Sequence, residues 1–177
     1  MPEDREAPEI TKEQAVAQTV ADPGSVTPEA LMVKLPDHVL KAETFRGDVV
    51  GVVRPESIRE VCLALRDDAD WQMNFLADLT CVDTFPTEPR FHLIYQLRSI
   101  PAARFLTLRT SVPASEPEID SVEPVWGTAN WLERELFDLF GIVFRGHTNL
   151  KRIFMPEGWD GSPLRRDYSV GKSRVPF

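Results

Sequence analysis

From Gly141 to Phe177 the sequence carries large apolar side chains (Phe154, Met155, Trp159, Leu164 and Tyr168) without a period behind them. Strands bury such side chains at every second position and helices at every third or fourth, so a segment with neither repeat cannot close a core of its own. It has to lie against something else. Its composition points the same way: residues 141–177 hold three acids against seven bases, and five of the nine glycines. Aromatic, Met and Arg side chains on an irregular strip are the anchors that protein interfaces favour. Residues 141–177 therefore read as a basic, extended, mostly irregular arm that docks on a partner subunit.

The rest of the chain has the opposite sign. The 177 residues sum to a net charge of −8, with seven acids and two bases in residues 1–30 and eighteen acids against eleven bases in residues 31–140. That balance argues against nucleic-acid binding, which relies on basic surfaces. Apolar residues make up 42%, enough for one core in a chain of single-domain length. No run approaches the ~18–20 apolar residues that cross a bilayer. The acidic start, Met1 to Glu6, lacks the apolar stretch of a secretory signal, so the chain is expected to begin in the cytosol. Cys62 and Cys81 stand apart from each other and from His38, His92 and His147. Without metal-ligand spacing they read as small buried side chains, and neither a zinc nor an Fe–S site is expected.

Periodicity places the elements. Residues 1–34 read as a flexible or partly helical segment, with one short helix over 11–20 whose apolar face is Ala15, Val16 and Val20. Residues 38–45 and 48–53 flank Arg46-Gly47 as a hairpin. Pro55 suits a first helical turn, and Ile58, Val61, Cys62 and Leu65 then recur on one helical face. Residues 75–82, the run from Phe91 and residues 105–112 read as three strands of an antiparallel meander. The acidic, Pro-rich stretch 113–124 reads as a connector. The spacing predicts a helix over 131–140, with Asn130 as N-cap, Glu133 completing a capping box, and Gly141 as the stop. Residues 142–144 then make a short strand. The expected fold is α+β, an α-β-β-α-β-β-β-α sheet-and-helix domain over 35–140 ending in that helix, followed by the arm.

The helix concentrates charge in Glu133, Arg134, Glu135 and Asp138. Clustered carboxylates suggest acid–base catalysis, with Glu135 and Asp138 as the pair. Against that, Arg134 would neutralise them, and no nucleophile, metal ligand or phosphate loop lies near. A charged seam locking the helix to its own sheet or to a partner is the favoured reading, and no catalytic, cofactor or metal residue is assigned.

The stretch Glu133-Arg134-Glu135-Leu136-Phe137-Asp138-Leu139-Phe140-Gly141-Ile142, then Phe144, Gly146-His147 and Asn149-Leu150-Lys151-Arg152-Ile153, resembles one family. So do Trp159, Gly161 and Pro163-Leu164-Arg165-Arg166-Asp167-Tyr168. The family is the thirty-kilodalton (C-type) subunit of respiratory complex I, the bacterial proton-pumping NADH–quinone oxidoreductase. The resemblance covers roughly residues 35–168 and includes the run Phe75 to Asp83. Thr148 stands where a Pro is common, and Phe154 where a smaller aliphatic residue or Met is usual. The end nine residues past Tyr168 leads us to expect neither a long C-terminal extension nor a fusion to the next subunit.

The resemblance implies an accessory, non-redox subunit of the peripheral arm. It would dock chiefly on the forty-nine-kilodalton (D-type) subunit and on other peripheral-arm subunits, and would stabilise the subunit that holds the quinone site. FMN, Fe–S clusters and quinone would belong to the parent complex, with none bound by this chain. The complex would take electrons from NADH to quinone and translocate protons. The chain would sit as a peripheral protein on the cytoplasmic side of the inner membrane, touching the membrane only through the complex. An equivalent subunit of a membrane-bound hydrogenase or of a ferredoxin- or F420-linked oxidoreductase is the alternative within the family. A small carboxylate acid/base enzyme is the alternative of another class.

Overall fold

The computed structural model describes residues 25–169. The helix expected over 11–20 lies outside the described residues. The first described helix, α1 (Pro28–Lys34), falls in the segment that reads as loosely organised. Its start is nonetheless marked in the sequence: Thr27 accepts the Ala30 N–H at 3.1 Å as N-cap, and Pro28 occupies the first turn, where a missing N–H costs little.

The expected hairpin forms from β1 (Val39–Phe45) and β2 (Asp48–Val53). Pro55–Ser57 makes a short 3₁₀ turn leading into α2 (Ile58–Asp67), which buries Ile58, Val61, Cys62 and Leu65 as the period requires. The acids after α2 find partners that its C-terminus could not supply. Asp68 accepts the N–H groups of Asp70 and Trp71 and ion-pairs with Lys34 at 2.5 Å.

The meander follows as β3 (Phe75–Asp83), β4 (Phe91–Ser99) and β5 (Arg104–Val112), antiparallel throughout. Joined to the hairpin, it gives a five-stranded sheet of order β1-β2-β5-β4-β3, with β2 and β5 parallel. Alternation decides which face is covered: Leu93, Tyr95 and Leu97 of β4 point into the core with Leu106 and Leu108 of β5. The α+β class and the order from β1 through β5 thus hold. Gly51 lets α1 approach, since a Cβ there would lie 2.5 Å from Leu31 Cδ2.

The stretch that reads as a connector contains a strand. β6 (Glu118–Asp120) pairs in parallel with β7 (Val143–Arg145), so the segments either side of α3 (Ala129–Phe140) close on each other. Gly141 ends α3 in the left-handed conformation, φ 71°, as expected. The N-terminal cap differs: Thr128 is the N-cap residue, Asn130 lies inside the helix, and Glu133 caps nothing. Glu133 instead holds the loop that follows β6.

Replacing Leu31, fully buried at the α1–sheet contact, with Ala should cost about 2–4 kcal/mol of unfolding free energy in urea titration. A loss under ~0.5 kcal/mol would show that α1 contributes little to the core.

Candidate partner interface

Three buried carboxylates organise the end of the molecule where the signature residues lie. The first is Glu133, on the inward face of α3 with no solvent exposure. Its Oε2 accepts the Ser121 hydroxyl at 2.6 Å and its Oε1 the Val122 N–H at 2.7 Å, which fixes the turn after β6. Arg59 holds the same loops from α2, donating to the carbonyls of Ser121 (2.8 Å) and Arg145 (2.7 Å). Burial raises the Glu133 pKa to about 7, against the two hydrogen bonds and the Arg59 charge.

The second is Asp138, one and a half turns further along α3 and equally buried. Its Oδ2 accepts three successive backbone N–H groups of the arm, from Ile153 (2.9 Å), Phe154 (2.7 Å) and Met155 (2.9 Å). Its Oδ1 faces Arg152 at 3.2 Å, and the Arg152 guanidinium also donates to the Gly161 carbonyl. Burial alone would raise this pKa. The three N–H groups and the Arg152 charge outweigh it and hold the carboxyl below its ordinary value.

The third is Asp83, at the end of β3. Arg90 grips it with two hydrogen bonds (2.8 and 2.7 Å) and grips Asp167 of the arm with two more (2.9 and 2.5 Å). Asp83 also accepts the Arg166 N–H at 2.8 Å and the Phe85 N–H at 2.9 Å. The Arg90 guanidinium lies 4.9 Å from the ring centroids of both Phe85 and Phe91. Its hydrogen bonds push the pKa values of Asp83 and Asp167 down.

Smaller ties complete the attachment. Leu164 N–H bonds the Leu139 carbonyl (3.0 Å), and Arg165 donates to the Phe140 carbonyl (2.5 Å). His147 bridges two segments: Asn149 N–H donates to its Nδ1 (3.0 Å), leaving Nε2–H to donate to the Asn130 carbonyl (3.1 Å). Burial would raise the Glu123 pKa, but hydrogen bonds from Thr148 and Asn130, with His147 nearby, bring it down to about 2. Two glycines take positive φ in close quarters. Gly146 (78°) lies against Arg59, and Gly161 (81°) against the Tyr168 ring, whose hydroxyl donates to the Asp160 carbonyl.

The expected charged seam is corrected in its pairing. Arg134 bonds neither Asp138 nor Glu135; it donates to the Lys151 and Arg152 carbonyls and lies 4.8 Å from the Trp131 ring centroid. The backbone N–H groups and Arg152 already occupy Asp138, so the i, i+4 pair had no reason to form. The Glu135 carboxylate makes no hydrogen bond or ion pair among the described residues. Asp138, saturated and out of water, cannot serve with Glu135 as an acid–base pair. Sequence reasoning also missed Asp83, Arg90, Arg59 and Ser121. Asp83 closes the β3 run that the sequence marks, but its partner is a neighbour only across a loop.

The arm also differs in where its polar groups go. Its described part is extended and mostly irregular, yet Arg152, Arg165, Arg166 and Asp167 tie it to its own domain. The described apolar side chains do not follow. Phe154 is 61% exposed and Leu164 52%, and Trp131, on which the Arg134 that bonds Lys151 and Arg152 stacks, is 62% exposed. Trp159 is half-buried, with an indole N–H that finds no acceptor among the described residues. Lys151 is exposed and Pro163 half-buried on the same strip. No group of three or more His, Cys, Asp and Glu able to hold a metal occurs among the described residues.

Comparison with known proteins places this arrangement. The sequence model of the family described as "Respiratory-chain NADH dehydrogenase, 30 Kd subunit" matches residues 51–174. The C-type subunit of NADH-quinone oxidoreductase from Roseiflexus sp. (strain RS-1) is 44% identical over 149 residues, covering 84% of this chain and 86% of that protein. The protein of the same name from Geotalea uraniireducens (strain Rf4) is 42% identical over 148 residues, covering 83% and 89%. Among solved structures, the trypsin-resistant fragment (1-134) of Nqo5 is 29% identical with a TM-score of 0.54, covering 78% of this chain and 98% of that one. A chain of an archaeal membrane-bound sulfane sulfur reductase shares the fold, with a TM-score of 0.65 at 21% identity over 80% of this chain and 83% of that chain.

Two stability measurements check the site. Between about pH 4.5 and 7 folded Glu133 binds a proton that the unfolded chain has released, so its contribution to stability falls as pH rises through 7. Asp83 and Asp138 act oppositely, and their contribution is lost as pH drops below the ordinary carboxylate range. Unfolding titrations from pH 5 to 8 should show Glu133→Gln gaining on the parent chain with rising pH, by up to about 3 kcal/mol. A parallel pair of curves would contradict the raised pKa. Arg90→Ala should cost about 3–5 kcal/mol at pH 7, because it leaves Asp83 buried without its cation.

Proposed function

The chain belongs to the family of the 30 kDa subunit of the respiratory-chain NADH dehydrogenase, and on that basis we propose that it is a non-redox subunit of the peripheral arm of NADH–quinone oxidoreductase. Its work is to hold and stabilise the forty-nine-kilodalton-type subunit at the quinone site, while its neighbours carry electrons from NADH to quinone with proton translocation. One observation carries this reading: the arm's Arg152, Arg165, Arg166 and Asp167 are bonded within its own chain, while Phe154, Leu164 and Trp131 stay exposed. An irregular strip ordered in advance, with aromatic and aliphatic side chains outward, loses little freedom on docking and keeps most of its burial energy for affinity.

A structural role is supported by the state of the ionisable groups. Asp138 and Asp83 are saturated by donors from this chain, which leaves no ligand field for a metal. Burial pushes the Cys81 thiol up to about 12 and the Cys62 thiol higher still, away from the thiolate that binds iron or zinc. FMN, Fe–S clusters and quinone are then held by other subunits. No helix among the described residues is long and apolar enough to cross a membrane. In this reading the chain meets the membrane only through the complex, on its cytoplasmic side.

Co-purification tests the proposal. With the tagged full chain expressed among its native partners, Phe154→Asp/Leu164→Asp should reduce recovery of the large quinone-site subunit at least about tenfold, through loss of roughly 1.4 kcal/mol or more of docking energy. Both residues are solvent-exposed, so the thermal midpoint of the isolated variant should stay unchanged. Full recovery of the partner with the double variant would overturn the docking role.

A further inference from the structure

All the helices lie on one face of the five-stranded sheet, and among the described residues no element covers the other. The open face is not uniform. At the end where β3 begins, Phe45, Phe105 and Phe75 share one cross-strand row, with Asp48 and Arg98 between them. Phe45 and Phe105 are about half exposed, and Ile100, in the turn after β4, is more exposed still. The Ile100 N–H donates to Asn74 Oδ1 at 3.1 Å, which fixes that turn beside Phe75. A cluster of exposed apolar side chains rimmed by charge marks a contact site more often than a plain solvated surface.

The cations at this end are unspent. The Arg98 guanidinium lies 4.5 Å from the Phe105 ring centroid, and that of Arg46 lies 5.3 Å from the Phe45 centroid. Neither guanidinium makes a hydrogen bond or ion pair among the described residues. Arg59, Arg66, Arg90, Arg134, Arg152 and Arg165, by contrast, all donate elsewhere in the chain. A guanidinium over a ring keeps its in-plane N–H groups for a carboxylate, which it can grip with two bonds. Asp48 is the single acid in the row, and Glu43 of the next row is paired with Lys41.

We propose that this end of the open face is a second docking surface, one that receives a carboxylate-bearing, partly aliphatic surface of another subunit. The proposal rests on the reading of this chain as part of a larger assembly. Charge complementarity selects the occupant: carboxylates answer Arg46 and Arg98, and aliphatic side chains answer the exposed rings. A shallow depression beside Phe105, reaching Gln96 and Arg98, gives one such side chain a place to insert. A second copy laid face to face would bring two more arginines and only one more acid, so the occupant differs from this chain. A net charge of −8 disfavours an anionic lipid surface. The surface is also separate from the arm's attachment. Phe75 begins β3 and Asp83, which shares Arg90 with the arm's Asp167, ends it, and eight residues of strand put them about 26 Å apart.

Two measurements on the complex purified through the tagged full chain test this. Hydroxyl-radical labelling of Phe45 and Phe105 should be about fivefold slower in the complex than in the isolated chain, as half-exposed rings become about a tenth exposed in an interface core. Arg46→Lys and Arg98→Lys each put an amine where the guanidinium ends, and carbodiimide then condenses that amine with a carboxylate in contact. Mass spectrometry should find position 46 or 98 of the variant joined to an Asp or Glu of another subunit, and no such peptide from the parent complex. Equal labelling of the two rings in chain and complex overturns the proposal. So does the absence of a cross-link from both variants, or a cross-link only to carboxylates of this chain or a second copy. Protection that appears only when anionic lipid vesicles are added overturns it as well. Phe154 reports the arm in the same labelling experiment: its protection without that of Phe45 and Phe105 removes this surface and leaves arm docking standing.

Discussion

An unpaired carboxylate buried in protein is tolerated only if the fold supplies what water supplied, and the signature end of this molecule is built around that demand. Asp138 meets it by drawing three consecutive N–H groups of the arm onto one oxygen, with Arg152 behind. The exchange works both ways. Without the carboxylate those N–H groups belong to a segment with no ladder to join, and without the segment the charge is stranded. Helix α3 and the arm therefore specify each other, and Asp83 with Arg90 and Asp167 repeats the device about 80 residues apart in sequence.

Glu133 and Asp138 show why burial alone does not set the outcome. Both are shielded from solvent on one short helix, yet one pKa rises to about 7 and the other falls. Glu133 has two neutral donors and only a distant guanidinium. Asp138 has three N–H groups and an arginine in contact. Donor number and adjacent charge decide the sign. In functional terms, the neutralising tendency of Glu133 suits a core tie, and the full charge of Asp138 suits a clamp on an arm.

Much of this was legible in the sequence, for identifiable reasons. The meander, the hairpin and α2 follow from alternation and helical spacing, and Gly141 was readable as the end of α3. The family signature pointed to Glu133, Asp138, Arg152 and the Arg165-Arg166-Asp167 run as important. Their pairings were not legible. Arg134 and Asp138 had helical spacing to bond each other, but backbone donors from the arm are invisible to side-chain pattern and took the carboxylate first. Asn130 and Glu133 had capping-box spacing, yet tertiary donors on Ser121 and Val122 claimed the glutamate. Helix α1 was missed because seven residues give too little period to read, although Thr27-Pro28 marked its start. Strand β6 was missed for the same reason, being three residues long and paired only with β7.

The central claim is that Asp138 orders the arm within its own chain, so that docking meets a finished surface. Amide hydrogen exchange at Ile153, Phe154 and Met155 in the isolated full-length chain addresses it directly. The account predicts exchange at least ~100-fold slower than in an unfolded reference, from local opening that costs roughly 3 kcal/mol. It further predicts that Asp138→Ala abolishes this protection while the amides of β3, β4 and β5 stay protected. Exchange of these three amides at the unfolded rate in the parent chain would contradict it and make the arm's order a product of the partner.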